Sequence, residues 1–172
     1  GEVVLLSRGG SNGNENEVKA GSSAHYAIIG YADTTINDLN VVSSGGGVAS
    51  VGGNKVVFNG GSVAVNSAST SGRYNFYAST EGSEIVINGG TFSFSSTLNQ
   101  KRAYIYAEAG TKVIVNGGTF GKASARAGYT AGILGDGTVI ITGGTFGFDP
   151  SKWVADGYEA VADGENWIVQ AK

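Results

Sequence analysis

Fourteen Asp and Glu residues, a single histidine and no cysteine bound the chemistry open to this 172-residue chain. His25 has no thiol to activate, and one histidine among many serines does not define a Ser/His/Asp relay. Paired carboxylates are the remaining hydrolytic route, since two acids flanking a groove can cleave a glycosidic bond. Asp33 with Asp38, and Glu81 with Glu108, are the pairs placed to approach one another. Neither comes with the clustered Lys, Arg and further acids of such a groove. Most of the other acids fall at loops, corners or the tail, where solvation accounts for them. The expectation is therefore a non-enzymatic chain. The segment GGSNGNENE (residues 9–17) has the flavour of a calcium-binding nonapeptide but lacks its aspartates and strict tandem repeat. No metal and no cofactor are expected.

Recognition chemistry is better represented. In Ala103-Tyr-Ile-Tyr-Ala-Glu-Ala109, strand alternation puts Ala103, Ile105 and Ala107 inside and leaves Tyr104, Tyr106 and Glu108 outside. Tyr74 and Phe76 fall on the same outer face one repeat earlier, with Arg102 nearby. Tyrosine joins an apolar ring to a polar tip, so this set suits stacking on sugar rings and bonding to their hydroxyls. These six residues are the candidate glycan contact.

The elements that must position them come from a repeat. Val113-Ile-Val-Asn-Gly-Gly-Thr-Phe120 recurs as VVFNGGSVAV from Val56, EIVINGGTFSF from Glu84 and TVIITGGTFGF from Thr138. The residue before Gly-Gly is Asn59, Asn88, Asn116 and Thr142, giving spacings of 29, 28 and 26, and a weaker copy puts Asn37 another 22 upstream. Periods of this length mark solenoids, propellers or arrays. The β-branched residues, the Gly-rich corners and the near absence of helix signals select a solenoid. Fold class is thus all-β: a single-stranded parallel β-helix of about five coils, three strands to each. Right-handedness is expected from the general preference of parallel crossovers. The aromatic strands align as Phe76 with Tyr104, Thr80 with Glu108, Gly82 with Gly110 and Asn88 with Asn116. Glu2–Ser7 reads as a strand, and Arg8–Ser23 as a loop.

Alternation then assigns the faces. Val56 and Phe58, Ile85 and Ile87, Val113 and Val115, and Val139 and Ile141 stack inward, followed after the corner by Val63, Phe92, Phe120 and Phe146. Asn37, Asn59, Asn88 and Asn116, closed by Thr142, form an asparagine ladder at a buried bend, where side-chain amides satisfy groups the corner would strand. Outside, Lys55, Glu84 and Lys112 alternate in sign, and Val57, Val86, Ile114 and Ile140 make an apolar column. A contiguous outward apolar stripe marks a candidate oligomer interface.

The tail leaves the repeat, dividing the chain into a β-helix over 1–148 and a C-terminal cap over 149–172. Asp149 as N-cap with Pro150 at the first helical position starts a helical turn. Tyr158–Ala162 and Asn166–Val169 make a hairpin about Asp163-Gly164. Trp153 and Trp167 would cover the last coil. Eleven basic residues against the fourteen acids give no basic patch for nucleic acid. No apolar run approaches the roughly 20 residues of a membrane helix. No segment reads as a signal peptide, and with no Met, Gly1 reads as the start of a processed or excised piece.

From Lys55 to Val169, the NGGTF coils and the closing GGTFGFDPSKWVADGYEAVADGENWIV resemble the Gly-Gly-Thr-Phe β-solenoid repeats of phage fibre, tail and virion proteins and of bacterial surface proteins. Ser62-Val63 in place of Thr-Phe, and Thr142 in place of Asn, are the departures. The resemblance implies architecture, right-handed coiling and exposure on a virion or at the cell surface, and carries no catalytic residues. The expected function is a structural or attachment module, first a virion fibre, spike or capsid-decorating domain that associates as a homotrimer with other virion proteins. The alternatives are a bacterial adhesin binding cell-surface glycans and, after it, a polysaccharide-degrading tailspike.

Overall fold

A computed structural model describes residues 3–6, 17–20, 26–66, 72–94, 102–123 and 130–172, with the backbone alone described at 3–6, 20, 130 and 131. The chain is all-β, with three sheets visited in the same order on every pass. The first holds β1 (Val3–Leu6), β4 (Thr34–Asn37), β7 (Lys55–Phe58), β10 (Glu84–Ile87), β13 (Lys112–Val115) and β16 (Thr138–Ile141). The second holds β2 (Glu17–Ala20), β5 (Leu39–Ser43), β8 (Gly61–Val65), β11 (Thr91–Phe94), β14 (Thr119–Lys122) and β17 (Gly144–Gly147). β3 (Tyr26–Gly30), β6 (Gly46–Ser50), β9 (Arg73–Ala78), β12 (Arg102–Ala107) and β15 (Thr130–Leu134) form the third. Within these sets every pairing is parallel, an arrangement compatible with a β-helix or solenoid.

Register explains the repeat. Ile85 lies beside Val56 and Val113, and Ile87 beside Phe58 and Val115, and all six are fully buried. On the second sheet Phe92, Phe120 and Phe146 stack with centroids 4.7 and 4.8 Å apart, the spacing of neighbouring strands. The Gly-Gly corner between these sheets has a backbone reason. Its second glycine (Gly61, Gly90, Gly118, Gly144) has φ between +97° and +114°, where L side chains are strained. A Cβ at Gly61 would also sit 2.1 Å from the Leu39 carbonyl oxygen.

Four details differ from the sequence reading. The stretch read as a loop, Arg8–Ser23, contains β2, which pairs Val18 with Val41. The calcium-like segment and His25 lie outside the described residues apart from Glu17. The helical turn is a single 3-10 turn, Ser151–Trp153, with Pro150 rather than Asp149 at the cap position. Asp149 instead accepts the Ser151 N–H through Oδ1 at 2.9 Å, and these side-chain and backbone bonds from Ser151 hold its carboxyl low. Beyond it, β18 (Tyr158–Asp163) and β19 (Asn166–Ala171) form an antiparallel hairpin around Gly164-Glu165, one residue later than expected, and β19 pairs antiparallel with β17.

The fourth difference is in the aromatic strand. Phe76 pairs with Ile105 and Tyr77 with Tyr106, not Phe76 with Tyr104. Alignment back from the asparagines fails because one coil carries an extra residue at its corner. Ser79–Ser83 spans a step that Glu108–Thr111 makes with one residue fewer. The longer corner includes Thr80, at φ +76°.

Candidate functional site

Strict alternation also fails inside the aromatic strand. Asn75 and Phe76 are successive and both fully buried, as are Tyr104 and Ile105 at 2% and 0% exposure. Asn75 turns in because its Nδ2 donates to the carbonyls of Val63 (2.8 Å) and Ser93 (3.2 Å), tying the second sheet to the third at their corner. Tyr104 occupies the same place one coil on, with its ring 4.9 Å from Phe94 and its hydroxyl donating to the Lys122 carbonyl at 3.2 Å. Burial pushes that phenol up to about 12. Phe76 packs edge-on against Phe92 at 4.9 Å. Arg102 is buried as well, its guanidinium 5.5 Å from the Phe94 ring. Phe76, Tyr104 and Arg102 therefore leave the candidate glycan contact: they belong to the interior.

Tyr74, Tyr106 and Glu108 remain on the outer face, joined by two tyrosines that sequence reasoning passed over, Tyr26 and Tyr77. Tyr74 stacks on Tyr106 with centroids 4.6 Å apart, and Tyr26 on Tyr77 at 5.3 Å. Tyr77 bridges the two pairs at 5.7 Å from each of Tyr74 and Tyr106. Tyr26 spans the coil of β6, where Gly46 and the buried Ala49 leave room; a Cβ at Gly46 would sit 2.2 Å from its ring. Desolvation, with neighbouring phenols, raises the pKa of Tyr26 and Tyr74, so both stay neutral. The available signal for Tyr77 was alignment from Ala78 with Ala107 rather than from Asn88 with Asn116.

Glu108 sits at the edge of this mat. Its carboxylate accepts from the Tyr77 hydroxyl, from Ser79 Oγ at 3.0 Å and from the Thr80 N–H at 3.4 Å. These bonds, Tyr77's foremost, hold the Glu108 carboxyl below the usual glutamate range, against the opposing desolvation. Burial and the bond to Glu108 raise Tyr77 in turn. The site is thus a neutral aromatic surface beside a fixed anion that can only accept. Of the other three acids in the candidate pairs, Asp33 Oδ1 accepts the Lys55 N–H at 2.8 Å, and Asp38 and Glu81 are exposed. Among the described residues no three His, Cys, Asp or Glu side chains form a metal-binding group.

The asparagine column is hydrogen-bonded throughout. Asn59 Nδ2 donates to Asn37 Oδ1 at 2.7 Å, Asn88 to Asn59 and Asn116 to Asn88 at 2.8 Å, and Thr142 Oγ1 to Asn116 at 2.8 Å. Its setting differs from the expected buried bend, because Asn59, Asn88 and Asn116 are exposed. The ladder runs along the outside of the corner since the inside is already filled by Phe58 and its neighbours. Beside it, Val57, Val86, Ile114 and Ile140 align in register, each half-buried. Glu84 bridges Lys55 at 3.0 Å and Lys112 at 3.8 Å along the adjoining column. Trp153 and Trp167 are half-buried against the core, Trp167 beside Phe146.

Compared with family models, curated proteins and solved structures, the chain has no match.

Proposed function

We propose that the chain is a non-enzymatic structural and attachment module: a right-handed parallel β-helix of about five coils, closed at its C-terminal end by residues 149–172 as a cap. Its setting in this reading is a phage virion, as part of a fibre, spike or capsid decoration, or else a bacterial surface, and its partners are copies of itself and other virion or surface proteins. The observation that carries the reading is the persistence of the outward columns. The asparagine ladder, the alternating Lys55–Glu84–Lys112 column and the Val57–Ile140 stripe each continue over successive coils. Continuity of that kind makes a stiff rod with uniform sides rather than a groove around a reacting bond. The apolar stripe then meets the same stripe on neighbouring copies, in a homotrimer.

Light scattering on the wild type and on Val86→Lys with Ile114→Lys tests this. The expected result is a trimer that becomes a monomer with an unchanged circular dichroism spectrum. A wild-type monomer removes the trimer and the stripe's role as an interface. Product release from a capsular polysaccharide, lost on replacing an acid such as Glu108, would favour the tailspike alternative instead.

A further inference from the structure

We propose that the outer face of the third sheet is a binding site for neutral carbohydrate, with Tyr74, Tyr77 and Tyr106 as the contact surface and Glu108 as the acceptor for ring hydroxyls. The inference deepens the attachment reading and rests on it for purpose, though not for chemistry. First, the rings are surplus to the core. Phe76 and Ile105 already fill the inside of these coils, while Tyr74, Tyr77 and Tyr106 lie half-exposed on the outside. At the place of Tyr77 and Tyr106, the coils to either side carry Ala49 and Leu134. The hydroxylated rings are therefore confined to one patch and do not run along the rod.

Second, the acceptor is built. The one-residue lengthening of the corner puts Thr80, a β-branched residue, at φ +76°, a strained conformation for its side chain. The adjoining coil turns the same corner without the extra residue. What the longer corner supplies is the Thr80 N–H and, with it, a third donor that aims the Glu108 carboxylate beside the rings. Strain of this kind persists where the surroundings over-determine it, and clusters at ligand sites.

The arrangement also selects the ligand class. An aromatic cage for a quaternary ammonium needs ring faces open around the cation. Here the faces are turned on one another at 4.6 and 5.3 Å, forming a mat. The half-exposed phenols beside an ionised acceptor instead suit the hydroxyls of a neutral sugar, which bond to the tyrosine hydroxyls and donate to Glu108.

The test is native gel electrophoresis through dextran and through laminarin, with titration calorimetry against chitohexaose and, as the cationic control, choline chloride. At least one of the three carbohydrates is expected to bind the wild type. Tyr106→Ala and Glu108→Ala should each weaken that binding by about tenfold or more. Tyr106→Phe keeps the ring and guards against loss of folding as the cause, and Thr91→Ala on the second sheet should leave binding unchanged. Absence of binding to all three carbohydrates overturns the proposal. So does binding that survives Tyr74→Ala with Tyr106→Ala, or a response to choline alone. Failure of the attachment reading is seen separately, in the light-scattering mass.

Discussion

Asn88→Ala asks how much the asparagine ladder stabilises the fold. The substitution removes two hydrogen bonds, one donated to Asn59 Oδ1 and one accepted from Asn116 Nδ2, both 2.8 Å long. A typical intramolecular hydrogen bond contributes a net 0.5–1.5 kcal/mol or so, because unfolding returns both groups to water. Asn59, Asn88 and Asn116 are exposed, so water also satisfies the groups the substitution leaves behind. The loss is therefore at the low end, about 1 kcal/mol in all, or roughly a 2–4 °C fall in Tm for a chain of this size. A buried ladder would add about 1–3 kcal/mol for each stranded group. Asn37→Ala removes the single bond from Asn59 described at that end, and should cost about half as much. Asn88→Thr copies the native end of the column, where Thr142 Oγ1 donates to Asn116, and should recover part of the loss. Urea unfolding followed by circular dichroism, at constant m-value, measures each. A cost above about 3 kcal/mol for Asn88→Ala would refute the exposed-ladder reasoning. A cost no greater than that of Thr91→Ala would refute the ladder itself.

The glycine corners make a paired test. Nothing lies within 4 Å of a Cβ at Gly60, so Gly60→Ala should change stability by less than about 0.5 kcal/mol. Gly61→Ala, one residue on, meets the Leu39 backbone at φ +97° and should cost more than about 2 kcal/mol or prevent folding. Equal effects at the two sites would contradict the corner geometry. The Glu108 bonds give a pH signature. The folded state lowers the Glu108 pKa from its ordinary 4.5, so the associated stability is complete above that value and is lost as pH falls through the lower folded one. Glu108→Gln should therefore be less stable than wild type at neutral pH, with the two unfolding curves converging in acid. A gap that is constant from neutral pH into acid would mean that the Tyr77, Ser79 and Thr80 bonds do not favour the ionised form.

Much of the architecture is written locally. Inward positions such as Val56, Ile85 and Val113 follow from alternation, since successive strand residues face opposite ways. The Gly-Gly corners follow from the positive φ that the second glycine alone accepts without strain. Glu84 attracts Lys55 and Lys112 because the repeat places it between them. Only the tertiary structure decided the rest. Asn75 and Tyr104 turn inward because the corner between two sheets offers carbonyls at Val63, Ser93 and Lys122, which a period of two does not contain. The added residue at Thr80 shifts the aromatic strand by one place against the asparagine column. That shift moves Phe76 into the core and leaves Tyr77 outside. Alternation reads one strand at a time, whereas the tyrosine mat is made by neighbouring coils, and its members depend on the register between them.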